Sequence, residues 1–269
     1  MVGRAAATVN QAQPPGAADD LAVLLHGRAQ DVAPRLLGCL LLSSSAEGDV
    51  VLRVTEVEAY GGVGTDPGSH AHRGRRPRNA TMFGRPGLMY VYFTYGMHWC
   101  ANVVVHPETD AAGAVGTGAS GTGGTVGPAA GAVLLRAGEV VAGDDCARRR
   151  RPTSTRPVDL AQGPARLTKA MGITGDDDGV DLLDPTSRVR LLPAPTVPVE
   201  VRSGPRVGVA GEGATTPWRW WDARSPTVSA YRAAQPRART SRTASPVPAV
   251  PITPPSDGGA QPAAGGGAP

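Results

Sequence analysis

The sequence predicts an α+β fold: a single compact domain around a curved, mainly antiparallel β-sheet with flanking short helices. Three observations carry this. Val50–Tyr60 is a strand-length run dominated by β-branched residues and closed by Gly61-Gly62. Further runs of strand character lie at 89–94, 100–106, 132–137, 188–192 and around 206–209. The 36 glycines and 26 prolines among 269 residues are densest in 109–131 and 233–269, and the chain between has an ordinary globular composition, with enough apolar residues for one core.

Residues 1–18 form a polar tail expected to be disordered, and the domain is placed at 19–232. Asp19 and Asp20 can cap a helix over Leu21 to Leu25, Asp31 a second one ending near Gly38, and Cys39 to Leu42 reads as a buried strand. In the strand 50–60, a period of two puts Val50, Leu52, Val54, Glu56, Glu58 and Tyr60 on one face. An apolar face that turns acidic and aromatic at its far end suits a pocket. Pro164 to Met171 is a helix, with proline at a favoured first position and Gly172 as its stop. The stretch 109–131 is a flexible Gly-rich insertion, and 233–269 is a disordered or polyproline-like tail.

No apolar run approaches the about 18 residues of a membrane span, so a membrane protein is not expected. The first 15 residues lack the apolar segment of a secretory signal, so the reducing cytosol is the expected compartment, and three cysteines without paired spacing agree with it. A net charge of +4 makes a phosphate-rich partner plausible, although of 27 basic residues only Lys169 is a lysine, a bias that a GC-rich genome also produces. Arg73, Arg75, Arg76, Arg78 and Arg85 gather around one loop; Arg148 to Arg151 read as a solvated loop.

Only 4 Trp, 5 Tyr and 2 Phe occur in the chain, yet Tyr90, Tyr92, Phe93, Tyr95 and Trp99 fall together. They are either a small aromatic core or a stacking surface. Tyr95, before Gly96, is expected at an exposed turn, where it could wedge between bases. His70 and His72 match no metal-ligand spacing, and no nucleophile elbow or phosphate loop is present. Asp176 to Asp178 read as an acidic turn rather than a calcium loop. What remains is Glu58 at the end of a buried strand beside Tyr60. It either holds a water and takes its proton, or simply pairs with an arginine such as Arg78 or Arg136.

The motifs Val57-Glu58-Ala59-Tyr60, Asp66 with Ser69-His70-Ala71, Arg78-Asn79 with Met82-Phe83, Tyr90-Val91-Tyr92, Tyr95-Gly96-Met97-His98 and Asn102 resemble the alkyladenine (3-methyladenine) DNA glycosylases. Val133 to Ala137, Gly163-Pro164 with Arg166-Leu167, Arg206-Val207-Gly208 and Trp218-Arg219 continue the resemblance in order, from about residue 20 to 231. It implies a base-excision repair enzyme with no metal or redox cofactor. Glu58 would be the general base and Arg136 would help to hold the attacking water. Tyr60, His70 and Tyr92 would line the base pocket, Tyr95 would intercalate, and Asn102 would exclude the exocyclic amine of guanine. Arg73, Arg76 and Arg78 would contact the DNA backbone. The chain departs from the family pattern at Arg76, at Gly138 and Val140, and in its insertion; the loss of a side chain at Gly138 is expected to loosen packing near Arg136.

These roles fit one chemistry. A base in a duplex must be extruded before its glycosidic bond can be reached, at a cost of a few kcal/mol that is least for weakly paired lesions. A cationic alkylated purine stacks well on tyrosine and leaves readily, whereas neutral hypoxanthine would also need a proton, from Glu56 or a histidine. Lys169 is poorly placed as a lyase amine, so monofunctional hydrolysis to an abasic site is expected. The expected partner is double-stranded DNA with alkylated or deaminated purines, met by a monomer in the cytoplasm, at the nucleoid of a bacterium. The alternatives are a catalytically silent damaged-DNA-binding protein and a small-molecule glycosidase pairing Glu58 with Asp66.

Overall fold

The computed structural model describes residues 16–94, 96–107, 130–194 and 199–234. Helices α1 (Ala17–Leu25) and α2 (Ala29–Val32) lead into β1 (Leu40–Ser43) and the long β2 (Val50–Tyr60). A 3-10 segment, Pro77–Phe83, precedes the hairpin of β3 (Met89–Thr94) and β4 (His98–Val104). Then follow β5 (Ala132–Ala142), α3 (Asp144–Arg150), α4 (Pro164–Met171), β6 (Val189–Leu192), β7 (Val201–Gly204) and β8 (Arg219–Asp222). All strand pairs are antiparallel, in the order β3-β4-β5-β2-β1-β6. β2 is the branch point: β5 runs along one edge, while the other edge is shared between β1 at Val50–Arg53 and β8 at Glu56–Glu58. The predicted α+β class and curved antiparallel sheet are therefore what the chain adopts.

Two bulges at that branch build the site. Val54 faces Gly138 and Glu56 faces Ala137, so Thr55 is an extra residue in β2; Val57 then faces Leu135, so Arg136 is an extra residue in β5. The bulge at Thr55 reverses the alternation. Val50, Leu52 and Val54 pack in the main core, and Val57 and Ala59 continue it. Glu56, Glu58 and Tyr60 therefore face away from the apolar core, a correction to the single face that strict period two predicts. A bulge re-aims side chains at small cost, which is why such irregularities favour functional sites. Without it two carboxylates would enter the core unpaired.

Other expectations need correction. Asp19 and Asp20 lie within the first turn of α1 instead of capping it, because the helix already begins at Ala17, inside the tail predicted to be disordered. Asp31 lies inside α2 and pairs with Arg28, which occupies the cap position. Arg148 to Arg150 belong to α3, whose C-terminal turn favours cations, while Arg151 is buried against the Leu160 carbonyl. Residues 206–209 are a loop, and the local strand is β7. Gly138 does not loosen packing, since Leu52 fills the space that a side chain would need. The Pro164–Met171 helix is as predicted, closed by Gly172 at φ +66°, a left-handed conformation that glycine adopts freely. The segment 109–129, residues 1–15 and residues 235–269 lie outside the described residues.

Candidate functional site

A cleft of about 470 Å³ opens on the face of β2 that carries Tyr60. Tyr60, His70, Tyr92, Asn102 and Arg136 line it, together with Tyr90, Cys100, Pro164 at the start of α4, and Val207 to Ala210. The structure thus brings together the four expected pocket residues and Arg136. Glu58 lies directly behind them with no accessible surface. One of its carboxylate oxygens, Oε2, accepts hydrogen bonds from the Tyr60 hydroxyl at 2.9 Å and Arg136 Nη1 at 3.2 Å, and Oε1 accepts from the Val207 backbone N–H at 2.6 Å. Arg136, not Arg78, is its cationic partner. The loop conformation at 206–209 is what frees the Val207 amide for this bond.

Behind Glu58 the bulge places Glu56 against two arginines. Its Oε1 accepts from Arg136 Nε at 2.9 Å, Arg219 Nε at 2.6 Å and the Ser229 hydroxyl at 2.9 Å, and its Oε2 accepts from the Ser229 N–H at 2.7 Å. Glu56 does not line the cleft, so it is not placed to protonate a leaving base. Asp66 is likewise engaged: Arg206 grips both of its oxygens at 2.6 and 2.8 Å, and the Gly61 and Gly68 N–H groups donate to it as well. Asp66 does not line the cleft, so the second carboxylate that the glycosidase alternative needs is not presented there. Three buried carboxylates, Glu56, Glu58 and Asp66, thus face three buried guanidiniums, Arg136, Arg206 and Arg219. The site is balanced in charge, and the Arg206 guanidinium also lies 4.9 Å from the Tyr60 ring centre.

Burial by itself would raise the Asp66 carboxyl, but Arg206 and the two backbone donors outweigh it and hold the group below its ordinary value. A carboxyl depressed in the folded state stabilises above its unfolded value of about 3.9 and loses that contribution as pH falls through the folded one. Acid unfolding should therefore begin at lower pH in the wild type than a domain without this pair allows. Urea midpoints measured between pH 5 and 3, against Asp66→Asn, check this: the variant should show the flatter dependence.

The aromatic wall is held by backbone contacts. Asn79 donates to the His70 carbonyl at 2.8 Å and accepts from the Arg76 N–H at 2.6 Å, fixing the loop that presents His70. Tyr90 gives its proton to the Arg78 carbonyl at 3.3 Å, which leaves its oxygen to accept from His70 Nδ1 at 3.0 Å. His70 meets Tyr92 edge to face at 4.6 Å between ring centres. Burial, and then the Arg78 cation, lower the His70 pKa from its ordinary value, so the ring is neutral at neutral pH. Asn102 is buried and donates to the Tyr90 carbonyl at 2.9 Å, which fixes its position at the cleft wall.

Arg73, Arg75, Arg76 and Arg78 are exposed, and among the described residues none pairs with a carboxylate. Tyr95 lies outside the described residues; nearby on the same hairpin, Phe93 and Met97 are exposed. Among the described residues no group of three or more His, Cys, Asp or Glu could hold a metal ion, and no helix is long and apolar enough to cross a membrane. Sequence reasoning assigned no role to Arg206, Val207 or Arg219, although all three stand in motifs that carry the family resemblance, and Ser229 carried no signal.

Comparison with known proteins shows the family. A family model described as methylpurine-DNA glycosylase matches residues 24–115 and 125–226. Proteins named "Putative 3-methyladenine DNA glycosylase" are similar over most of their length. That of Streptomyces avermitilis is 47% identical over 211 residues, covering 78% of this chain and 90% of its own. That of Leifsonia xyli subsp. xyli is 51% identical over 208 residues (75% and 87%), and that of Nocardia farcinica 49% over 211 residues (77% and 88%).

Proposed function

Since the chain belongs to the methylpurine-DNA glycosylase family and is a DNA glycosylase, we propose that it flips alkylated purines, 3-methyladenine foremost, out of duplex DNA and hydrolyses the N-glycosidic bond. Glu58 is the general base for the attacking water, and the product is an abasic site. The observation that carries this reading is Glu58 Oε2, held at the cleft by two residues that both line it, Tyr60 and Arg136. A carboxylate there also offsets the positive charge that develops on the sugar.

Tyr60, Tyr92 and neutral His70 present π faces and edges to the extruded base. In a site balanced in charge, these surfaces rather than net charge favour a cationic purine. Asn102, fixed by Tyr90, stands where a 2-amino group would collide. Asn102→Ala is expected to increase release of guanine from undamaged duplex, measured by chromatography of free bases. Neutral hypoxanthine is the poorer substrate: among the described residues no carboxyl group lines the cleft to protonate it, and His70, which does line it, is neutral. The enzyme acts as a monomer on nucleoid DNA in the cytoplasm, and the single domain carries the whole pocket. Tyr95 fills the gap left in the duplex.

The Tyr60 hydroxyl occupies Oε2 in the free protein, so water reaches Glu58 only when that hydroxyl swings away. Tyr60→Phe keeps the stacking ring and should retain base release, well inside the roughly 10²–10⁴-fold that loss of general-base catalysis costs. A loss of that size would instead make the hydroxyl a proton relay. Arg73, Arg76 and Arg78 neutralise backbone phosphates. Replacing all three by Ala should weaken binding to any sequence and reduce the slope of log K against log salt by about 0.9 for each phosphate left without its arginine. The test of the function is excision from methylated duplex compared with hypoxanthine-containing duplex: the methylated DNA should lose base faster, with equal numbers of alkali-labile sites.

A further inference from the structure

We propose that Glu56 is a positioning residue: by holding Arg136 Nε it keeps that guanidinium from closing on Glu58 with two donors, so that the lone pair the Tyr60 hydroxyl gives up on moving goes to water and not to arginine. The proposal rests on Glu58 being the general base. Arg136 spends its three nitrogens on three partners, Nε on Glu56, Nη1 on Glu58 and Nη2 on the Ser229 hydroxyl. The bond to Glu56 is the shorter of the two carboxylate contacts, 2.9 against 3.2 Å. The two-pronged pairing that arginine prefers with carboxylates is thereby split between two glutamates. The extra residue in β5 makes this possible, since it sets Arg136 between the two carboxylates instead of opposite either one.

Glu56 is itself held from both sides. Arg219 Nε and both donors of Ser229 fix its carboxylate, and Arg219 Nη2 ties back to the Ser229 carbonyl at 2.8 Å. Removing its charge leaves two buried guanidiniums with Glu58 as the nearest carboxylate. Arg136 is then drawn into the fuller pairing, where its second donor occupies the lone pair that the water needs. A displacement of that kind, on the order of 1 Å, is enough to cost about 100-fold in rate.

The experiment is single-turnover release of 3-methyladenine from methylated duplex, with DNA affinity measured separately, for wild type, Glu56→Gln, Arg136→Gln and the double variant. Glu56→Gln should lower the rate by about 10–100-fold with affinity unchanged, and should cost little further in the Arg136→Gln background, because it acts through Arg136. Equal losses in both backgrounds, or a loss that appears in affinity instead of rate, would make Glu56 a purely structural residue and overturn the proposal. An active wild type with an equally active Glu56→Gln overturns it alone, whereas a wild type that releases no base overturns the general-base reading with it. If Glu56→Gln does not fold, Glu56→Asp takes its place: it keeps the charge but withdraws it from Arg136 Nε, so the loss in rate should be smaller, should leave affinity unchanged and should again vanish in the Arg136→Gln background, and a rate equal to wild type overturns the proposal.

Discussion

Glu58→Gln should lower single-turnover base release by about 10²–10⁴-fold while leaving affinity for methylated duplex intact. The substitution keeps size and shape but removes the proton acceptor. It also turns an amide N–H₂ toward Tyr60 and Arg136 or toward the Val207 N–H, all of which are donors. Leaving donors of this kind unmatched in a buried site costs stability, so the melting temperature has to be recorded beside the rate. Arg136 keeps its bond to Glu56, which limits the damage to the base itself. A variant that still folds and binds DNA but does not excise would assign the chemistry to Glu58; one that excises near the wild-type rate would remove it.

The largest expected loss of stability lies at Asp66→Ala. The carboxylate accepts four hydrogen bonds, and Arg206 behind it is 0% exposed at its side chain, with its Nε already without a partner. Removing one member of a buried pair leaves an uncompensated charge and costs about 3–5 kcal/mol. For a domain of this size that is a fall on the order of 10 °C in melting temperature. The contrast is Arg28→Ala, which breaks a pair whose side chains are 65% and 55% exposed and should move the melting temperature very little. Similar losses from the two variants would mean that the Asp66–Arg206 pair does not anchor residues 61–68, the segment after Tyr60 whose Gly61 and Gly68 N–H groups bond to Asp66.

Much of this was legible in the sequence because it rests on local chemistry. β-Branched content marks β2 from Val50 to Tyr60 and proline with glycine marks α4, and both elements have the expected ends. The concentration of tyrosines at 90–92 and the motif around Glu58 lead to residues that meet at one cleft. The remainder depends on partners distant in sequence. A bulge is fixed by how two strands pair, so nothing within 50–60 shows that Thr55 reverses the faces of β2. Arg206 and Ser229 act on residues 140 and 173 positions away, and neither stands out among neighbours of similar type. The stretch at 206–209 has strand composition, yet the bonds of Arg206 to Asp66 and of the Val207 N–H to Glu58 win over a ladder that no adjacent strand offers.

The most direct measurement is to incubate wild type and Glu58→Gln with methylated duplex DNA and quantify free 3-methyladenine together with alkali-labile sites. Wild type is expected to release base and create abasic sites in equal number, without cutting the strand before alkali, and Glu58→Gln to release almost none while still binding. Tight binding by the wild type with every methylated base retained would contradict the assignment and make the protein a binder of damaged DNA without chemistry.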